Sequence, residues 1–259
     1  WRNYLALNYH EFPMTDFGQL TGIHSIDNQQ FMFLFDKSSP YVSIGRDELQ
    51  LDGSGKKITL GDGGLFTRDP RPIGYTDYHY GNSQSKFAFI NTQFGTFYPS
   101  QRRGRIFSYS GKLDEITKSG MHFWFKNNLP SKLLTQFPDF KHKDNIIEGV
   151  GLTSVFDNTS EVLYLSKKDY SLKEKFQGQV TYDAITNKFA FNDRAIQLTD
   201  TDYFDDASWT ISYDPKTQGF ISYHDWIPEW TIQSENHFFT VKDKTIWKHN
   251  DSYKSFCKF

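Results

Sequence analysis

The residues closest to a reactive constellation in this sequence are His224-Asp225-Trp226-Ile227-Pro228-Glu229-Trp230, where two carboxylates are interleaved with two indoles. A carboxylate pair roughly 5 to 9.5 Å apart across a glycosidic bond can cleave it, and aromatic rings commonly floor the sugar. Asp225 and Glu229 are therefore candidate glycan contacts or an acid–base pair, with Trp226 and Trp230 as the platform. The competing reading is a structural corner: Pro228 disfavours a regular helix or a central strand, so the indoles pack and the carboxylates cap turns. The corner is the preferred reading.

Other chemistry is sparser. Asp200, Asp202, Asp205 and Asp206 could offer oxygen ligands to calcium, but the stretch lacks the glycine and terminal glutamate of an EF-hand loop and reads first as a solvated acidic loop. His10, His24, His79 and His142 stand alone among aromatic or charged neighbours, and the eight histidines show no metalloprotease spacing. There is no Gly-x-Ser-x-Gly elbow, and Gly61-Asp62-Gly63-Gly64 reads as a turn rather than a phosphate cradle. Cys257 is the only cysteine, which excludes an internal disulfide and a four-cysteine zinc site and suits synthesis in a reducing cytoplasm. No cofactor and no catalytic residue is expected.

The elements that would carry these residues announce themselves as a recurring hairpin. An apolar strand ends in aromatic-Asp, a short polar turn follows, and a second apolar strand begins: Phe156-Asp157-Asn158-Thr159-Ser160, Tyr182-Asp183-Ala184-Ile185-Thr186 and Tyr213-Asp214-Pro215-Lys216-Thr217, with a weaker copy around Asp243. Aspartate suits the turn because its carboxylate accepts hydrogen bonds from N–H groups just beyond it, and Pro215 presets its own φ. Further strands are expected at Phe31 to Phe35, Val42 to Ile44, Glu48 to Leu51, Lys57 to Leu60, Lys86 to Asn91, Gly95 to Tyr98, Arg105 to Tyr109 and Lys112 to Ile116. Arg68 to Tyr80 reads as a long exposed loop. Bulky apolar residues at helical spacing between Met121 and Leu129, closed by Pro130, and a second short run before Pro138 predict a helical insertion over about 119–137.

Composition agrees with sheets. Aromatics make up 18% of the 259 residues while alanine occurs six times, and aromatic and β-branched side chains fit a pleated surface better than a helix. The predicted fold is mainly β, a propeller-like or multi-hairpin domain with a short helical insertion, treated as a single region over 1–259. The turn aspartates fall closer together than the roughly 40 to 45 residues of a propeller blade, so any blades would be short or irregular. A net charge of -2, from 29 basic and 31 acidic residues, argues against tight nucleic-acid binding, which needs a concentrated basic surface. Arg102-Arg103-Gly104-Arg105 reads as a solvated turn. No run approaches the roughly 18 apolar residues of a membrane span, so no membrane insertion is expected. Asn158-Thr159-Ser160 and Asn250-Asp251-Ser252 match the glycosylation sequon, read here as chance. The start at Trp1 instead of methionine leads us to expect a piece of a larger protein.

Several segments, read in order, give a more specific lead. They are Gly45-Arg46-Asp47-Glu48-Leu49-Gln50, Tyr80-Gly81-Asn82-Ser83-Gln84-Ser85-Lys86, Gly104-Arg105-Ile106-Phe107-Ser108-Tyr109, Ile116-Thr117-Lys118-Ser119-Gly120-Met121 with Trp124-Phe125, and Ser166-Lys167-Lys168-Asp169-Tyr170. The most specific are Ser208-Trp209-Thr210-Ile211-Ser212-Tyr213-Asp214, Tyr223-His224-Asp225-Trp226-Ile227-Pro228-Glu229 and Ile246-Trp247-Lys248-His249-Asn250. Together they resemble the tail nozzle or muzzle proteins of short-tailed, crAss-like bacteriophages. The resemblance implies a non-enzymatic virion component in a ring around the DNA exit channel. Its implied partners are further copies of itself and other tail proteins, with a host surface glycan as a further possible ligand. Met121, Trp124 and Phe125 are then the candidate assembly contacts. A carbohydrate-binding or glycoside-cleaving propeller using Asp225, Trp226, Glu229 and Trp230 is the alternative.

Overall fold

The structure, a computed structural model, describes residues 9–249 apart from 28–29, 45–46, 51–56, 61–68, 75–79, 142–143, 145 and 148. The chain expected to form one β-rich region divides into two compact units, one of residues 1–84 with 109–113 and the other of 85–108 with 114–259.

In the first unit the apolar run Gln30–Phe35 has four consecutive buried residues, Met32 to Phe35, so both of its faces are covered. It pairs antiparallel with Leu20–Asp27 on one side and Tyr41–Ile44 on the other. Phe12, Phe17, Phe35 and Tyr41 pack ring against ring at 4.9 to 6.2 Å. Leu20–Asp27 is a strand the sequence does not reveal, because its burial alternates only between exposed and half-buried. The expected loop from Arg68 to Tyr80 lies partly outside the described residues. Within it, Arg71–Pro72 adds a short edge strand opposite Tyr41 and Val42.

The second unit is built on a four-stranded antiparallel sheet in the order Gly151–Asp157, Val162–Lys168, Trp209–Asp214, Gly219–His224. Its register separates two kinds of surface. Leu152, Phe156, Leu163, Leu165, Ile211 and Tyr213 share one face and form the main core with Phe97, Ile106, Phe125 and Leu129. Thr153, Ser166, Thr210 and Ser212 share the other, all at most 3% exposed. That hydroxyl-lined face meets a C-terminal sheet of Trp230–Gln233, Phe238–Lys242 and Thr245–Lys248 through a hydrogen bond between the Thr153 and Thr231 hydroxyls (2.8 Å). The Thr231 hydroxyl also reaches the Ser154 carbonyl (3.0 Å). A second core gathers Leu133, Val150, Tyr170, Leu172, Val180, Phe189, Ile196 and Phe204.

The hairpins form where expected, but they do not make equivalent blades. The first and third lie side by side in the central sheet, the second builds a separate three-stranded sheet, and the fourth closes the C-terminal one. Three of the turns are chemically identical. The carboxylates of Asp157, Asp183 and Asp214 accept the N–H two residues on, from Thr159, Ile185 and Lys216, at 2.8 to 2.9 Å. They also accept the hydroxyl three residues on, from Ser160, Thr186 and Thr217. Each turn then passes through a left-handed residue, Glu161, Asn187 or Gln218. The fourth is a two-residue turn with Asp243 and Lys244 both left-handed, the geometry that matches hairpin twist.

The expected strand from Lys86 begins only at Ile90. The backbone upstream is engaged elsewhere: the Lys86 N–H donates to the Asp144 carboxylate at 2.7 Å. The helical insertion resolves into two helices, His122–Asn128 and Lys132–Gln136.

Candidate assembly surface

The helix His122–Asn128 turns Phe125 inward and is followed by Leu129, and both are fully buried in the main core. What holds its C-terminal end is a charge in the interior. Lys167 sits on the core face of the central sheet, and its Nζ donates to the carbonyls of Asn128 (2.7 Å) and Pro130 (2.9 Å). Its counter-ion is Asp169 at 2.7 Å, and neither side chain has any exposure. Burial pushes the Lys167 ammonium below its usual range, against the pull of the Asp169 charge. Asp169 in turn accepts the Ser131 hydroxyl (2.8 Å) and the Lys132 N–H (2.7 Å), while the Ser131 oxygen accepts the Leu134 N–H (3.2 Å) and caps the second helix. Every group of the pair thus has a hydrogen-bonding partner, the condition under which a buried ion pair is tolerated.

Along the same edge Trp124 meets Trp209 at 5.0 Å and Tyr223 at 5.3 Å, in edge-to-face geometry. The Trp209 indole N–H donates to the Asn128 carbonyl (3.2 Å), so the helix end and the sheet share that acceptor with Lys167. Three large apolar side chains of these two elements are exposed: Phe123 (78%), Ile221 (57%) and Tyr223 (52%). Ile221 and Tyr223 belong to Gly219–His224, the outer strand of the central sheet.

This placement sorts the expected assembly contacts. Phe125 is a core residue rather than a surface one, because a helix with one packed face must turn some of its large residues inward. Met121 and Trp124 are half-buried and pack against that core. The exposed aromatic is Phe123, which sequence reasoning passes over. The signal was available, since the inward set 121, 124, 125 and 129 places position 123 on the opposite side of a 3.6-residue period.

The two indoles among the candidate glycan residues have different ring partners. Trp226 packs into a ring cluster with Tyr164 (5.6 Å), His249 (5.3 Å) and Phe238 (6.2 Å), and its carbonyl accepts the Thr210 hydroxyl at 2.7 Å. Trp230 opens the C-terminal sheet opposite Val241 and meets Phe87 edge-on at 5.0 Å. The two indoles therefore serve different partners instead of forming one floor. Asp225 is exposed, and the Glu229 N–H donates to the Val241 carbonyl (2.7 Å) as part of the turn into the strand.

The acidic stretch is only partly the expected loop, since Asp205 and Asp206 lie in the strand Phe204–Asp206, paired with Tyr170–Leu172. Asp200 accepts the Asp202 N–H, Asp206 accepts the Ser208 N–H, and Asp205 lies 3.7 Å from Lys173. Among the described residues no group of three or more His, Cys, Asp or Glu is placed to hold a metal ion.

The surface is thus one of packing groups and clasped backbone. Comparison with known families identifies its setting: the family model for the crassvirus muzzle protein matches residues 1–244 of the sequence. The chain belongs to that family. It is accordingly a structural protein of a phage virion. No curated protein matches the sequence. The muzzle match spans both compact units. Among the described residues, no helix of this muzzle protein is long and apolar enough to cross a membrane.

Proposed function

We propose that this chain is a non-enzymatic building part of the phage tail, set in a ring around the channel through which DNA leaves, and that it works by contact with further copies and with adjoining tail proteins. The observation that carries the reading is the muzzle-family match over residues 1–244. The chemistry fits it. The repeated aspartates stabilise turns, and the one fully buried ion pair described above fastens a helix end. A near-neutral chain also suits a conduit, since dense basic contacts to phosphate would hold the passing strand. Phe123, Ile221 and Tyr223, large apolar groups exposed to solvent, are the natural contact residues.

Cryo-electron microscopy of purified virions tests the reading directly. Density for this chain in a ring at the distal end of the tail is the expected result. Virions that lack the chain, or that carry it away from the channel, would overturn it.

A further inference from the structure

The C-terminal sheet is fastened by polar and aromatic groups rather than by the main core. It meets the central sheet through the Thr153–Thr231 hydroxyl pair, and the segment leading into it is held by the Thr210 hydroxyl on the Trp226 carbonyl. Between turns, Asn158 donates to the carbonyls of Ser234 (3.0 Å) and Glu235 (3.2 Å), and the Thr159 hydroxyl donates to that of Asn236 (2.8 Å). The middle of the junction is a ring cluster holding two imidazoles. His224 ends the outer strand of the central sheet, 5.2 Å from Tyr164 and 5.7 Å from Trp226, with Nε2 3.0 Å from the Ser212 hydroxyl. His249 follows the last strand, stacked on Phe238 at 4.2 Å and 8° and 5.3 Å from Trp226, with Nε2 2.9 Å from the Thr240 hydroxyl.

We propose that this cluster is an acid-sensitive clasp: protonation of His224 and His249 loosens the C-terminal sheet from the hydroxyl-lined face, while the apolar core on the other face stays closed. The physical case is desolvation with two like charges around one indole. Burial holds both imidazoles below their ordinary range, and His224 pushes His249 further in the same direction. The opposing groups are few and can be named. Asp225 favours the charged form of His224 and Asp157 that of His249, and Tyr164 faces the cluster from the central sheet as a neutral phenol held above its usual range. Attraction of imidazolium to the ring faces opposes release as well, while burial outweighs the charges of Asp225 and Asp157. The sign follows: because both folded-state values lie below the ordinary 6.5, stability is complete above pH 6.5 and is lost as pH falls toward the folded values.

Hydrogen–deuterium exchange of the full chain at pH 7.5, 6 and 5, corrected for intrinsic exchange, tests the clasp. Amides of Trp230–Gln233 and Phe238–Lys242 are expected to lose protection by on the order of tenfold between the extremes. Those of Val162–Lys168 and Trp209–Asp214 keep theirs, and the loss disappears in the His224→Gln/His249→Gln double variant. Unchanged protection, equal loss throughout the unit, or a loss that persists in the double variant overturns the proposal. Should the double variant not fold, imidazole proton titration of the wild-type chain, with the signals assigned to His224 and His249, decides: ionisation of both below the ordinary value together with the local loss of protection supports it, and ordinary titration of either overturns it.

Discussion

Asp144 shows how far a single carboxylate can be driven by its place. It is 5% exposed and accepts the Lys86 N–H at 2.7 Å with one oxygen. Burial is the largest influence and raises its pKa to about 6, against the help of the Lys86 and Leu152 amides and the Ser85 hydroxyl. A folded-state value above the unfolded one means that this group's contribution is fully present below pH 4 and is lost as pH rises through 6. A gap of that size corresponds to roughly 3 kcal/mol. Asp144→Asn should therefore raise stability to urea at pH 7.5 by up to about 2–3 kcal/mol and flatten its pH dependence between 4 and 7. Equal midpoints for both proteins at pH 7.5 would contradict the assignment. The two histidines of the clasp act with the opposite sign, so local exchange, not a global melt, separates the two effects.

Among the elements, the helical insertion is held from two directions. Lys167 and Asp169 fix its carbonyl end and the start of the next helix. From the other side the turn at 101–104 comes so close that only glycine fits. Gly104 is left-handed (φ +62°), and a Cβ there would lie 2.5 Å from the Lys126 Cα and 2.7 Å from the Phe125 carbonyl oxygen. Gly104→Ala combines backbone strain with overpacking and should cost roughly 2–4 kcal/mol, read as a lower urea midpoint. The helix's own side chains divide in the same way. Phe125→Ala empties a core position and should cost roughly 3–5 kcal/mol, whereas Phe123→Ala should change stability by less than about 0.5 kcal/mol. If Phe123 is an assembly contact, its variant folds normally yet enters particles poorly. Normal particles carrying Phe123→Ala would remove it from the contact set.

For the whole molecule, the two units distribute different materials. The first is dense in phenylalanine rings, whereas the central sheet of the second is apolar on one face and hydroxyl-bearing on the other. The hydroxyl face explains how a hairpin protein can carry an extra sheet without a continuous apolar core: hydrogen bonds set its register and rings fill its centre. A polysaccharide screen adds a check at this scale. Because Trp226 and Trp230 pack against different rings, we expect no glycan cleavage. Cleavage abolished by Asp225→Asn or Glu229→Gln would restore the enzymatic alternative.

Local chemistry made much of this legible. The aspartate turns, the three hairpins around them, the helical insertion and its proline stops all follow from residues within five or six positions of one another, where backbone hydrogen bonding decides the outcome. The muzzle resemblance was also present in the sequence, as ordered segments along most of the chain. Tertiary structure decided the rest, because it depends on groups distant in sequence. It paired the first hairpin with the third and sent the second elsewhere. It buried Phe125 and left Phe123 outside. It gave Trp226 and Trp230 separate partners, and it brought His224, His249 and Tyr164 into one cluster. Such choices are made by which face of an element finds cover, and no local pattern records the partner that supplies it.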